Sequence, residues 1–145
     1  MSLHFTVAGT PRPQGSKDQF GREASKGLPA WRSDIRDAAE KAMLDTFDYR
    51  DGAYWETPLG VRVQFILPRP KGHYLPANSR RAAPELRADA PKYPTGKPDT
   101  DKLARAVLDA LTGLVWRDDS QVVHIDAWKV YGERPGADIT VSEAP

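Results

Sequence analysis

Two pairs of aspartates stand close together in a chain of 145 residues, in the stretch from Pro98 to Val123 (PDTDKLARAVLDALTGLVWRDDSQVV). Asp99 and Asp101 lie one residue apart, and Asp118 and Asp119 are adjacent further on. Carboxylate oxygens are hard donors, and three of them in one place suit magnesium, with manganese as a substitute. Such an ion polarises a phosphoryl group and lowers the pKa of water, which is the chemistry of phosphodiester hydrolysis. The plainer reading is a capped helix followed by an acidic turn, and a bare D-x-D does not exclude it.

Position bears on the choice between the two without settling it. Side chains two apart share a side in extended chain but diverge around a helix, so Asp99 and Asp101 can share an ion only before a helix or in its cap. Pro98 pushes the residue before it out of helical dihedrals, and Asp101 is the expected N-cap. Leu103, Val107, Leu108 and Leu111 then repeat at helical spacing, which predicts a helix over 102–112 with Gly113 ending it. A helix of about ten residues is roughly 16 Å long. The stretch from Gly113 to Asp118, about 20 Å if extended, is expected to run back along it and bring one of Asp118 and Asp119 to the helix start. The helix dipole favours carboxylates there.

The order PD-x-D-K-L-x-R-A-V-L-D-A-L-T-G, followed by W-x-DDSQVV and Lys129, resembles the RusA family of Holliday junction resolvases over residues 96–131. The resemblance is weaker over Phe5 to Lys17 and Val61 to Pro68, and absent in 18–58 and 69–95. It implies a small homodimeric, magnesium-dependent endonuclease that cuts four-way DNA junctions symmetrically, acting in DNA recombination and repair. It places the catalytic and metal-holding aspartates on Asp99, Asp101 and Asp119. Two positions depart from the family pattern. The lysine often found four residues after the second aspartate is Arg105, which keeps the charge with different geometry and poor proton-donating ability. The frequent asparagine after that aspartate is Lys102. Family members often travel on phages and prophages, so a cytoplasmic, nucleoid-associated protein of that origin is implied.

With 39% hydrophobic and 28% charged residues, the composition is that of a globular protein, and 1–145 is expected to be one domain. There is no cysteine, which excludes disulfides and thiolate metal sites and suits a reducing compartment. No signal peptide is legible, and no apolar run approaches the eighteen or so residues of a membrane span. The net charge of +1 excludes a protein that coats DNA by bulk charge. The charge is nevertheless uneven. Residues 69–97 carry Arg69, Lys71, Arg80, Arg81, Arg87, Lys92 and Lys97 against Glu85 and Asp89, directly before the acidic centre. Cations to neutralise phosphates beside carboxylates to hold a metal is what a nuclease needs.

Alternation predicts strands over Leu3–Ala8, Leu59–Leu67, Val122–Val130 and Ala137–Val141. Trp31, Ile35, Ala38 and Ala42 predict a helix over Pro29–Phe47 with Trp31 in the core and a mixed-charge, solvated face. Two main helices on one small mixed sheet make an α+β domain. Gly9 to Lys17 is a proline- and glycine-rich loop in which Arg12 and Lys17 are candidate phosphate contacts, with a solvated turn as the alternative. Residues 69–98 read as a long basic loop, mobile without DNA, with Arg80, Arg81 and Lys97 on the backbone of a junction, or as a disordered basic linker. Lys129 is a further candidate for phosphate. Tyr54 and Trp55 read as buried anchors before base-stacking platforms. His124 and Asp126 share a strand face, and an ion pair from Asp109 to Arg105 is expected on the helix. Two other functions stay open: a branched-DNA binder with weak or no cleavage, and a nuclease for other branched DNA.

Overall fold

The computed structural model describes residues 2–15, 26–46 and 55–145. Its centre is a four-stranded mixed sheet in the order β1-β6-β2-β5, built from β1 (Ser2–Ala8), β2 (Leu59–Leu67), β5 (Val122–Tyr131) and β6 (Gly136–Glu143). The strand β6 pairs antiparallel with both β1 and β2, and β2 pairs parallel with β5 from Leu59↔Val122 to Leu67↔Tyr131. The strict alternation of β1 buries Leu3, Phe5 and Val7, and that of β2 buries Val61, Val63 and Phe65. Those side chains meet two helices, α1 (Leu28–Thr46) and α2 (Thr100–Leu111), in one core with Trp31, Ile35, Leu103, Val107 and Trp116. The fold is α+β, with two helices on one mixed sheet, as the hydrophobic pattern predicts.

Parallel neighbours cannot be joined by a tight hairpin, so the chain must cross over between β2 and β5. The helix α2 is that crossover, and it runs opposite to the strands it connects. Its start therefore lies at the end of β2 and β5, and its own end lies where β5 begins. This orientation governs which residues can meet.

Two sequence expectations change, while Gly113 ends α2 as expected. The helix α2 starts earlier than expected, because Asp99, with φ −71° and ψ 141°, is its N-cap and Asp101 falls in its first turn. Gly113 follows the C-cap Thr112 at φ +83°, a left-handed position that suits glycine. The second difference concerns the return. Residues 111–116 close a tight turn, with Leu114 N and Val115 N donating to Leu111 O and Gly113 N to Trp116 O, so no extended segment runs back along α2. The strand β5 makes the return instead.

Residues 69–98 are more than a loop. A 3-10 turn (Lys71–His73) leads into a two-stranded hairpin of β3 (Tyr74–Leu75) and β4 (Glu85–Leu86). Its arginines are staples: Arg69 donates to Pro91 O at 2.7 Å, Arg81 to Pro76 O at 2.8 Å, and Arg87 to Gly72 O at 3.0 Å. The face of α1 read as solvated also does structural work, since Arg36 Nη1 donates to Ala110 O at 2.7 Å and Thr112 O at 3.3 Å. It satisfies carbonyls at the end of α2, which has no basic residue in its own last turn. Trp31 is 2% exposed and belongs to the core, and Trp55 is half-buried against it. The expectations for Lys17, Phe47 and Tyr54 lie outside the described residues.

Candidate active site

The exposed start of α2 gathers most of the predicted chemistry. The loop after β1 docks there, because Gln14 N donates to Lys102 O at 3.0 Å. Gln14 is also held from α1, by Arg32 Nη1 on its side-chain oxygen at 3.1 Å. Gly15, at φ +119°, lies against Arg105: a Cβ placed on it would stand 3.3 Å from Arg105 Nη1. The sequence PRPQG thus wraps the first turn of the helix and fixes its neighbours, which its composition alone did not reveal.

The two carboxylates here line different hollows. Asp99 lines a cleft with Arg12, Lys97 and Lys102, and Lys102 Nζ lies 3.2 Å from Asp99 Oδ2. Asp101 lines a groove between α2 and β5, together with Arg105, Leu108, Ile125 and Ala127. They sit on either side of the cap: Asp99 is still extended while Asp101 is in the first helical turn. Arg105 is exposed, and among the described residues no ion pair joins it to Asp109. The expected orienting pair is absent among the described residues.

Asp119 stands at the other end. It opens a 3-10 turn (Asp119–Gln121) just before β5, and it is exposed. Seven residues of β5, about 23 Å at 3.3 Å each, separate Val122 from Lys129. Lys129 Nζ in turn donates to Gly96 O and, at 2.8 Å, to Pro98 O beside Asp99. Lys129 is therefore a clamp between β5 and the approach to α2, where sequence reading had it reach for phosphate.

Asp118 has a structural role. Its carboxylate accepts from Ser120 N at 2.9 Å, while Gln121 Oε1 accepts from Arg117 N and Asp118 N. Gln121 Nε2 donates to Trp55 O at 2.6 Å. The hydrogen bonds from Ser120 hold the Asp118 carboxyl below its ordinary range. The DDSQ segment thus combines a capping box, which needs Asp118 and Gln121, with one outward carboxylate, Asp119.

Asp99 and Asp101 are the right donor type for a hard dication. Yet among the described residues no group of three or more His, Cys, Asp or Glu is placed to hold a metal ion. One chain brings two of the predicted carboxylates to one helix end and leaves Asp119 behind. Of the other cations, Arg80 bonds through its backbone N, to Asn78 Oδ1 at 2.8 Å, whereas Arg81 is tied to Pro76 O and Glu85. His124 and Asp126 do share a face, and Asp126 accepts from Arg62 Nε at 3.0 Å across the parallel pair. Among the described residues no helix is long and apolar enough to cross a membrane.

A family model described as "Endodeoxyribonuclease RusA" matches residues 5–142. The chain is also 28% identical over 147 residues to a protein of Bacillus subtilis (strain 168) named "Uncharacterized protein YqaN", covering 97% of this chain and 96% of that protein.

Proposed function

The chain belongs to the RusA endodeoxyribonuclease family, and from that premise we propose that it is a magnesium-dependent endonuclease that resolves four-way DNA junctions by paired, symmetric phosphodiester hydrolysis in recombination and repair. The observation that carries this reading is the exposed start of α2, where Asp99 and Asp101 stand among Arg12, Lys97, Lys102 and Arg105. Carboxylates for a metal lie next to cations for phosphate.

Asp99 and Asp101 would hold the ion, with Asp119 as the third ligand. Magnesium bound there supplies Lewis-acid polarisation of the phosphoryl oxygens and a water of lowered pKa. Arg105 faces the Asp101 side and neutralises charge as it develops on the phosphoryl group. Lys102 shares its ammonium between Asp99 and the phosphate. Arg12 and Lys97, and more distantly Arg80, meet the flanking backbone; Lys17 is the remaining candidate for that role.

A homodimer resolves the position of Asp119. As the outermost strand on its side of the sheet, β5 leaves Val123 64%, Ile125 45% and Trp128 51% exposed. A long apolar edge strand invites pairing. Two copies meeting antiparallel along β5 would pair its free edge and carry the partner subunit's Asp119 to the start of α2. A two-fold axis would also relate the two cuts of a two-fold junction.

The test is cleavage of an end-labelled four-way junction, with and without magnesium, by the native chain and by Asp101→Asn. Paired nicks that need the metal and disappear in the variant are expected. Tight binding without any product would instead favour a junction-binding protein that has lost the chemistry with Arg105 in place of lysine. Faster cutting of forks or flaps would shift the substrate to other branched DNA.

A further inference from the structure

The hydrolysis just described uses the charged rim of the cleft beside Asp99 but not its apolar floor; the cleft has a volume of about 470 Å³. Its floor is apolar: Pro11 and Pro94 are buried, and Leu67 is 5% exposed. None of these side chains offers a hydrogen bond. Tyr131 forms a wall. Its ring is held in place by the Arg69 guanidinium, 5.1 Å from the centroid, and by the ring of His73, edge-on at 5.0 Å. Three cations also line the cleft, Arg12, Lys97 and Lys102, against the single carboxylate of Asp99, which Lys102 already pairs.

An apolar slot with an aromatic wall and surplus positive charge has the chemistry of a nucleotide site. Proline and tyrosine rings give flat surfaces for a base, and the cations suit its phosphate. The volume lies within the roughly 300–1,000 Å³ common for ligand sites. A purely apolar ligand would leave the cations unmatched, and a free polyphosphate would leave the floor uncovered.

We infer that this cleft receives one base extruded from the DNA strand beside the phosphodiester presented to Asp99 and Asp101, with Tyr131 as its stacking partner and Arg12 and Lys97 on its phosphate. This rests on the nuclease reading above and adds a requirement to it: an unstacked base next to the cut. Extrusion is easiest where pairing is already disturbed, so the cleft favours branch points over continuous duplex. Stacking accepts any base face, and the floor has no groups to read a base edge. The requirement is therefore for a base, with little regard to which.

The experiment uses four-way junctions that carry a single abasic residue at each nucleotide flanking the mapped cut. They are cleaved with magnesium by the native chain, Tyr131→Phe and Tyr131→Ala. One abasic position is expected to slow the native chain roughly tenfold. Tyr131→Phe, which keeps the ring, should show the same abasic penalty as the native chain, and Tyr131→Ala should be slow on the intact junction and no slower on that abasic one. If Tyr131→Ala fails to fold, as seen by circular dichroism, the abasic series with native protein decides alone. Normal cutting of the intact junction, with every abasic junction within about twofold of it, would overturn the inference and leave the nuclease reading standing. Failure to bind or cut the intact junction would overturn both.

Discussion

Arg105 combines exposure, a place in the Asp101 groove and no ion pair among the described residues. It should act on the transition state more than on binding. Arg105→Ala is expected to lower single-turnover cutting about 100-fold with junction affinity nearly unchanged, and Arg105→Lys to restore most of the rate. A parallel fall in affinity would make it a binding residue. Asp118 yields a pH prediction. Its folded pKa lies below the ordinary carboxylate value of 3.8, so its contribution to the turn before β5 is present above that value and is lost as pH falls through the folded pKa. An NMR titration of the Asp118 carboxyl should show the depressed midpoint, and Ser120→Pro, which removes the donating N–H, should raise it. Such roles were only partly legible in the sequence. Residue type and order singled out Asp99, Asp101 and Asp119, but one-residue spacing could not say that the cap would fall at Asp99 and leave Asp101 in the first turn. Nor could the sequence show Lys129 clamped onto main-chain carbonyls, because that depends on two segments meeting.

The strands were readable because each alternates against one covered face, and α1 and α2 because their apolar positions recur at helical spacing. The return path was not readable. Six residues can span about 20 Å when extended, but the hydrogen bonds of residues 111–116 fold them into a turn, and only the parallel pairing of β2 with β5 reveals that the strand makes the return. The hairpin in 69–98 was equally hidden, since β3 and β4 are two residues each and show no period. The junction of α1 and α2 depends on Arg36, which caps the end of α2. Arg36→Ala should cost about 2 kcal/mol, the range for hydrogen bonds to a charged group that leave buried acceptors behind. Urea denaturation measures it; a change below about 0.5 kcal/mol would mean that water replaces the guanidinium.

In the whole molecule, the opposed directions of α2 and β5 separate Asp119 from the other two carboxylates. If the partner subunit's Asp119 completes each centre, two inactive variants should rescue one another. Mixing Asp101→Asn with Asp119→Asn makes mixed dimers that hold one fully native set of carboxylates. They should nick a junction on one strand, whereas either variant alone should not. No nicking in the mixture, with mixed dimers verified by mass spectrometry, would place all three ligands in one chain. Nothing in the order of the residues distinguishes these arrangements, because the chain lists all three aspartates in sequence whichever copy they serve.

The clamp made by Lys129 also bears on genetics. Its ammonium binds the carbonyls of Gly96 and Pro98, so its loss would release the segment that sets Asp99 while leaving every carboxylate and arginine intact. A screen for failed cleavage would return Lys129 alongside the aspartates. The defect would be one of alignment, and a second-site change that tightens the approach to α2 could suppress it, which no change could do for a missing metal ligand.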